Sequence, residues 1–131
     1  MTYVISLYLS VNNSKLEFKV IKNILNYDYA SYEDGYYNDN GELVANKDTY
    51  VGTAYIEVEA NSTYTVKEYD NKSSNIRYTL FNENKTFISR NYVNTKTCDI
   101  TTTENCKYIK IGLGTTDPES SFTNYTFIKK Q

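Results

Sequence analysis

The 131-residue chain contains no histidine and no tryptophan, and only one proline, five glycines and two cysteines. Each shortage removes a class of function. Without an imidazole there is no usual general base near neutral pH and no partner for a serine or cysteine nucleophile, so triad-type hydrolysis is excluded. A transition-metal site would need two thiolates plus carboxylates, and the spacing of Cys98 and Cys106 fits no common zinc pattern. Two cysteines are also too few for a disulfide scaffold, so both read as buried thiols, with a Cys98–Cys106 bond left open. No glycine-rich phosphate loop is present.

Charge of one sign is lacking too. With 14 Lys+Arg against 16 Asp+Glu and a pI near 5.2, the chain has no broad basic surface, and nucleic acid is not an expected partner. No apolar run approaches the roughly 18 to 20 residues of a membrane span, so membrane insertion is not expected. The opening MTYVISLYLSVNNSK has neither the basic region nor the cleavage site of a signal peptide, which points to a protein kept in the cytoplasm or released by lysis. The length suits one domain with one core.

What is abundant points to strands. There are 15 Tyr and 5 Phe, with many Thr, Ile and Val, and these types fit a pleated, half-buried surface. Tyr3, Ile5, Leu7, Leu9 and Val11 alternate with more polar residues, as do Leu16, Phe18 and Val20. With Asn12, Asn13 and Ser14 as turn formers between them, residues 2 to 25 read as a hairpin. From Asn26 to Asp48 the alternation stops, and the segment reads as the longest loop. Short strands are expected around Ala54–Val58, Thr63–Tyr69, Asn75–Phe81, Thr97–Thr101, Lys107–Leu113 and Phe122–Ile128, the spacing of a sandwich. The fold class is all-β, an antiparallel β-sandwich.

Four candidate sites stand out. Glu57, Glu59, Glu68 and Asp70 lie close in sequence, and carboxylate pairs can run glycoside hydrolysis without histidine. Alternation sends Glu57 and Glu59 to one solvent-facing side, however, so a solvated sheet face is the better reading and the chain is read as non-catalytic. The turn Asn38-Asp39-Asn40-Gly41-Glu42 offers oxygen ligands, but it lacks the rest of an EF-hand loop and is also ordinary β-turn chemistry. Calcium is therefore not favoured, and no cofactor is implied.

The third candidate is the tyrosine-rich loop, with Tyr27, Tyr29, Tyr32, Tyr36 and Tyr37 interleaved with Asp28, Asp34, Asn38 and Asp39. Aromatic faces stack on sugar rings while carboxylates and amides bond hydroxyls, and tyrosine gives contact area at low entropy cost. Rings that cover a sandwich edge or form a subunit contact are an equally good account. The fourth, weaker candidate is Arg77, Arg90 and Tyr92, with Asp70 and Asn71 on a nearby turn. Asn-x-Ser/Thr sequons at Asn61, Asn71, Asn84 and Asn124 are read as unmodified.

The run from Gly52 to Leu113 resembles the jelly-roll, carbohydrate-binding-module-like domains of tail and baseplate proteins from phages of low-GC Gram-positive bacteria. The resemblance rests on Tyr55-Ile56-Glu57-Val58 followed by Ser62-Thr63-Tyr64-Thr65-Val66, on Leu80 to Ser89 with its asparagine turn and Phe-Ile-Ser, and on Lys107 to Ile111. It covers about half the chain and transfers no binding residue. It implies a jelly-roll-like sandwich on a virion surface, assembled in the host cytoplasm, with host cell-wall carbohydrate and other virion proteins as partners. Residues 1–45 would form a hairpin and Tyr-rich docking element ahead of a sandwich spanning 46–131, and a homotrimer would suit such an appendage. A structural capsid, neck or tail decoration protein making only protein contacts is the alternative, and a host adhesin a third.

Overall fold

The computed structural model describes residues 2–9, 16–23, 32–45, 51–68, 76–113 and 125–130, and every regular element among them is a strand. In chain order these are β1 (Thr2–Leu9), β2 (Leu16–Asn23), β3 (Tyr32–Asp34), β4 (Tyr36–Tyr37), β5 (Leu43–Val44), β6 (Val51–Thr53) and β7 (Ile56–Glu57). They continue as β8 (Thr63–Glu68), β9 (Ile76–Phe81), β10 (Phe87–Val93), β11 (Thr97–Thr101), β12 (Tyr108–Leu113) and β13 (Tyr125–Lys129). The expected hairpin is present as β1 paired antiparallel with β2, and β2 lies against β13. Its turn at Asn12–Ser14 lies outside the described residues.

Two antiparallel sheets enclose one core, as expected for a β-sandwich. The larger runs β10-β9-β12-β6-β3, with β7 also on β12; the smaller runs β11-β8-β13. Alternation dictates what each strand contributes. The larger sheet sends in Ile76, Leu80, Ile109 and Ile111, and the smaller sends in Tyr64, Val66, Ile100, Tyr125 and Phe127. Burial of each such aliphatic or aromatic side chain is worth roughly 1.5–3 kcal/mol. Cys106 joins this core and Cys98 sits half-buried at its margin; both thiols are free, which closes the question of a bond between them.

The segment expected to be one long loop holds three short strands instead. β3 pairs with β6 and so belongs to the larger sheet, which makes the chain from Tyr32 onward part of the sandwich rather than an element ahead of it. β4 and β5 pair with each other. Strands of two or three residues are too short to show alternation. The break between β3 and β4 falls at Gly35, with φ 110°, where a Cβ would come 2.3 Å from the Val44 carbonyl oxygen. Only glycine fits there. Two further strands, β6 and β10, also lie outside the expected set.

Two five-residue turns share one design. In the first, the Asn38 Oδ1 accepts the N–H of Asn40 at 2.9 Å and of Glu42 at 3.0 Å. In the second, the Asn82 Oδ1 accepts the N–H of Asn84 at 2.9 Å and of Thr86 at 3.0 Å. Backbone bonds repeat as well: Asn38 N to Glu42 O and Gly41 N to Asn38 O match Asn82 N to Thr86 O and Lys85 N to Asn82 O. The fourth position is left-handed in both, Gly41 at φ 79° and Lys85 at φ 61°. A Cβ on Gly41 would also sit 2.5 Å from Cγ of Phe87.

Asn38→Ala and Asn82→Ala are each expected to lower stability by about 1–2 kcal/mol, because two backbone donors lose their acceptor, while Asn→Asp at the same positions retains most of it. Gly41→Ala should cost more than either, since it adds a left-handed penalty to a clash with the Phe87 ring. Urea unfolding of the five variants measures all of these differences.

Candidate functional site

The core-facing residues of β9, β12 and β10 leave a second set on the outside of the larger sheet. Register assembles that set. Tyr92 lies opposite Arg77 and Arg90 opposite Thr79. Arg77 lies opposite Gly112, Thr79 opposite Lys110 and Phe81 opposite Tyr108. Gly112 is in turn opposite Gly52, and Gly52 opposite Glu33. Between Gly52–Gly112 and Ile56–Ile109 the pairing slips by one residue. This bulge at Ala54–Tyr55 lets the Tyr55 ring reach the same outer face, as bulges commonly re-aim a side chain.

The β4–β5 hairpin lies over this face as a flap, and cations hold it there. The Arg77 guanidinium carbon sits 4.2 Å from the Tyr36 ring centre and 4.9 Å from that of Tyr92. Lys110 Nζ donates to the Tyr37 hydroxyl at 2.8 Å and lies 4.1 Å from the Tyr55 ring centre. Only 8% of Lys110 is exposed, so its charge relies on these partners rather than on water. Tyr37 and Tyr55 also meet Phe81 edge-on, at 5.4 and 5.0 Å between centroids. From the flap's turn, Asp39 pairs with Arg90 at 2.8 Å. Lys85 reaches the other side of the cluster, 4.9 Å from the Tyr55 ring centre and 5.6 Å from that of Tyr108.

Part of the tyrosine loop therefore meets the Arg77–Arg90–Tyr92 set. Tyr36, Tyr37 and Asp39 meet Lys110, Arg77, Arg90 and Tyr92 across the sheet. Asn38 stands apart: its amide oxygen faces inward to hold the turn, and its Nδ2 donates to Glu42 at 3.0 Å, so these groups are not presented as a calcium ligand set. Tyr32 and Asp34 take register positions in β3 opposite Thr53 and Val51. Tyr27, Asp28, Tyr29, Asp70 and Asn71 lie outside the described residues.

Lys110, Tyr55, Phe81, Tyr108 and Lys85 were not singled out from sequence. For Phe81 and Tyr108 a signal did exist: they are aromatic rings at outward positions of Ile76–Phe81 and Tyr108–Leu113.

Under the flap is a cavity of about 20 Å³ lined by Tyr36, Tyr37, Leu43, Arg77, Thr79 and Lys110. It holds one water-sized molecule, so anything larger binds on the face rather than within it. The large hydrophobic side chains most exposed among the described residues are Tyr92 and Leu43, at 45% and 43%, and both border this cluster.

The acidic residues are distributed differently. Glu57 pairs with Lys107 at 2.7 Å and Glu59 with Lys129, so the two carboxylates have separate partners. The hydrogen bond and charge of Lys129 hold the Glu59 carboxyl below its ordinary pKa, and hydrogen bonds from Lys130 and Thr65 do the same for Asp99. The Lys107 and Lys129 ammonium groups are raised, each chiefly by its hydrogen bond to glutamate. Burial pushes both thiols and the Tyr78 hydroxyl upward. No family model, curated protein or solved structure matches this chain.

Two outcomes follow. Depressed carboxyls stabilise the fold above their unfolded pKa and lose that contribution as pH falls through the lower folded value, whereas raised lysines lose theirs only as pH climbs past the ordinary lysine range. With no histidine and with both thiols pushed up, the melting temperature should be flat from about pH 5.5 to 8 and fall below about pH 4. A Glu59→Gln, Asp99→Asn double variant should flatten the acid limb in a thermal scan series. Separately, Lys110→Met should loosen the flap, raising amide exchange over residues 36–44 by about tenfold while β8 and β12 stay protected.

Proposed function

We propose that this chain is a non-catalytic surface-binding module of a phage virion, a jelly-roll-like sandwich of carbohydrate-binding type that meets host cell-wall glycan through the outer face of its larger sheet. The observation that carries this reading is Tyr92. Its ring is braced by Arg77, which is itself held by Tyr36, yet nearly half of the residue remains in solvent. Two positions along the same strand, Arg90 and its partner Asp39 add donors and an acceptor suited to hydroxyl groups.

A fixed aromatic platform with charged neighbours binds a sugar ring by stacking and hydrogen bonding, with little side-chain entropy lost. Because Tyr92 stands exposed at the margin of the flap rather than in a pocket, it suits a polymer lying across it. Assembly with other virion proteins, or as a homotrimer, belongs to the same reading. β10 and β11 end their sheets among the described residues, and an unpaired edge is a template for strand addition.

A structural decoration protein making only protein contacts is the second reading, and a different observation favours it. The rings of Tyr36, Tyr37, Tyr55 and Tyr108 lie against Arg77, Lys110 and Lys85 within the fold, so they brace the chain itself.

Co-sedimentation with purified cell walls of low-GC Gram-positive hosts, competed by free sugars, separates the two. Tyr92→Ala should weaken sugar-displaceable binding by about tenfold with an unchanged melting temperature. Wall binding that is absent in the wild type, together with a native mass that Tyr92→Ala lowers, would select the decoration protein instead.

A further inference from the structure

A larger concavity among the described residues lies at the end of the sandwich where the β9–β10 and β11–β12 turns face each other. It measures about 360 Å³ and is lined by Asn82, Glu83, Asn84, Glu104, Asn105, Cys106 and Lys107. That volume falls within the range of small-molecule sites, which begins near 300 Å³, whereas the cavity under the flap admits only a water.

The residues around it divide into two groups with different duties. One group builds the frame. Asn82 holds its own turn through two backbone donors. Thr103 Oγ1 donates to Asn105 Oδ1 at 2.8 Å, and Cys106 N donates to Thr103 O at 3.2 Å. Lys107 N then donates to Phe81 O at 2.9 Å, tying one turn to the other, and the buried Cys106 lines the space between them. The second group, the side chains of Glu83, Asn84 and Glu104, makes no hydrogen bond within the described residues and takes no part in that frame. Three exposed polar side chains thus border a ligand-sized space on a frame that is closed without them, with the Glu83 charge acting on Lys107.

Their chemistry specifies the occupant. Two carboxylates accept, the Asn84 amide both donates and accepts, and the Lys107 ammonium donates while held by Glu57 at 2.7 Å. No aromatic ring lines the space, so a ligand there is held by hydrogen bonds rather than by stacking. We propose that this cleft is a second binding site, separate from the Tyr92 face, for a small polyhydroxylated molecule of the size of one sugar ring or a linear polyol. Adjacent hydroxyls of the ligand donate to Glu83 and Glu104 and accept from Asn84 and Lys107. An open, hydrogen-bond-only site of this kind binds weakly, with a dissociation constant on the order of millimolar.

The test is residue-resolved NMR titration of the whole chain with N-acetylglucosamine, glucose and ribitol, each to tens of millimolar. The expected result is saturable amide shifts confined to residues 82–84 and 104–107 with at least one probe. Those shifts should be lost in a Glu83→Gln, Glu104→Gln double variant whose spectrum and melting temperature are otherwise unchanged. Absence of shifts there with all three probes, or shifts that persist in the double variant, overturns the site. Shifts confined to residues 36–39, 77, 90 and 92 likewise overturn it while leaving the Tyr92 reading intact, so the two proposals fail separately.

Discussion

The outer half of this molecule depends on how two cations are kept out of water. Arg77 and Lys110 sit on the central strands of the larger sheet, at positions that point away from the core, and in an uncovered sheet both would be solvated. Here tyrosines of the β4–β5 flap and of the β6–β7 bulge enclose them instead. An ammonium removed from water is tolerated only where hydrogen bonds and ring faces replace its hydration. That requirement fixes where Tyr36, Tyr37 and Tyr55 must lie, and through them where the flap, its turn and Asp39 must lie. The position of Tyr92 follows from the same contact, since Arg77 bridges it to the flap.

The sandwich proper obeys a simpler rule. β8, β11, β12 and β13 are long enough to alternate, and their inward residues converge on one apolar core, so the all-β class and most strands were legible in the residue pattern. What escaped it has physical causes. β4 and β5 are two residues each, too short to carry a period. β10 is half-buried on several successive positions, and its pairing shifts register at Ile88, so its apolar residues do not fall on one side. β6 ends at a bulge, which breaks the alternation expected around Ala54.

The site was half legible. Residue chemistry marked the tyrosine loop and the arginine–tyrosine set as unusual, but it could not join them, because Tyr36 and Arg77 meet only through a sheet order that no local pattern specifies. Lys110 was invisible for a related reason: a lysine alternating with isoleucines reads as a solvated position, and only the flap above it says otherwise. Asn38 shows the opposite error, a polar residue in a loop that looks available but serves its own turn. In short-stranded proteins the amides that build turns and the amides that meet ligands have the same composition, and only hydrogen-bond accounting separates them.

The repeated turn carries an implication for engineering. Its frame needs one asparagine at the first position and a left-handed residue at the fourth, and the second and third side chains contribute nothing to its closure. Randomising Glu83 and Asn84 together with Glu104 would therefore vary a contiguous surface on an unaltered backbone. With both cysteines free and a turn frame that closes without its tip side chains, that end of the sandwich has the properties wanted in a small display scaffold.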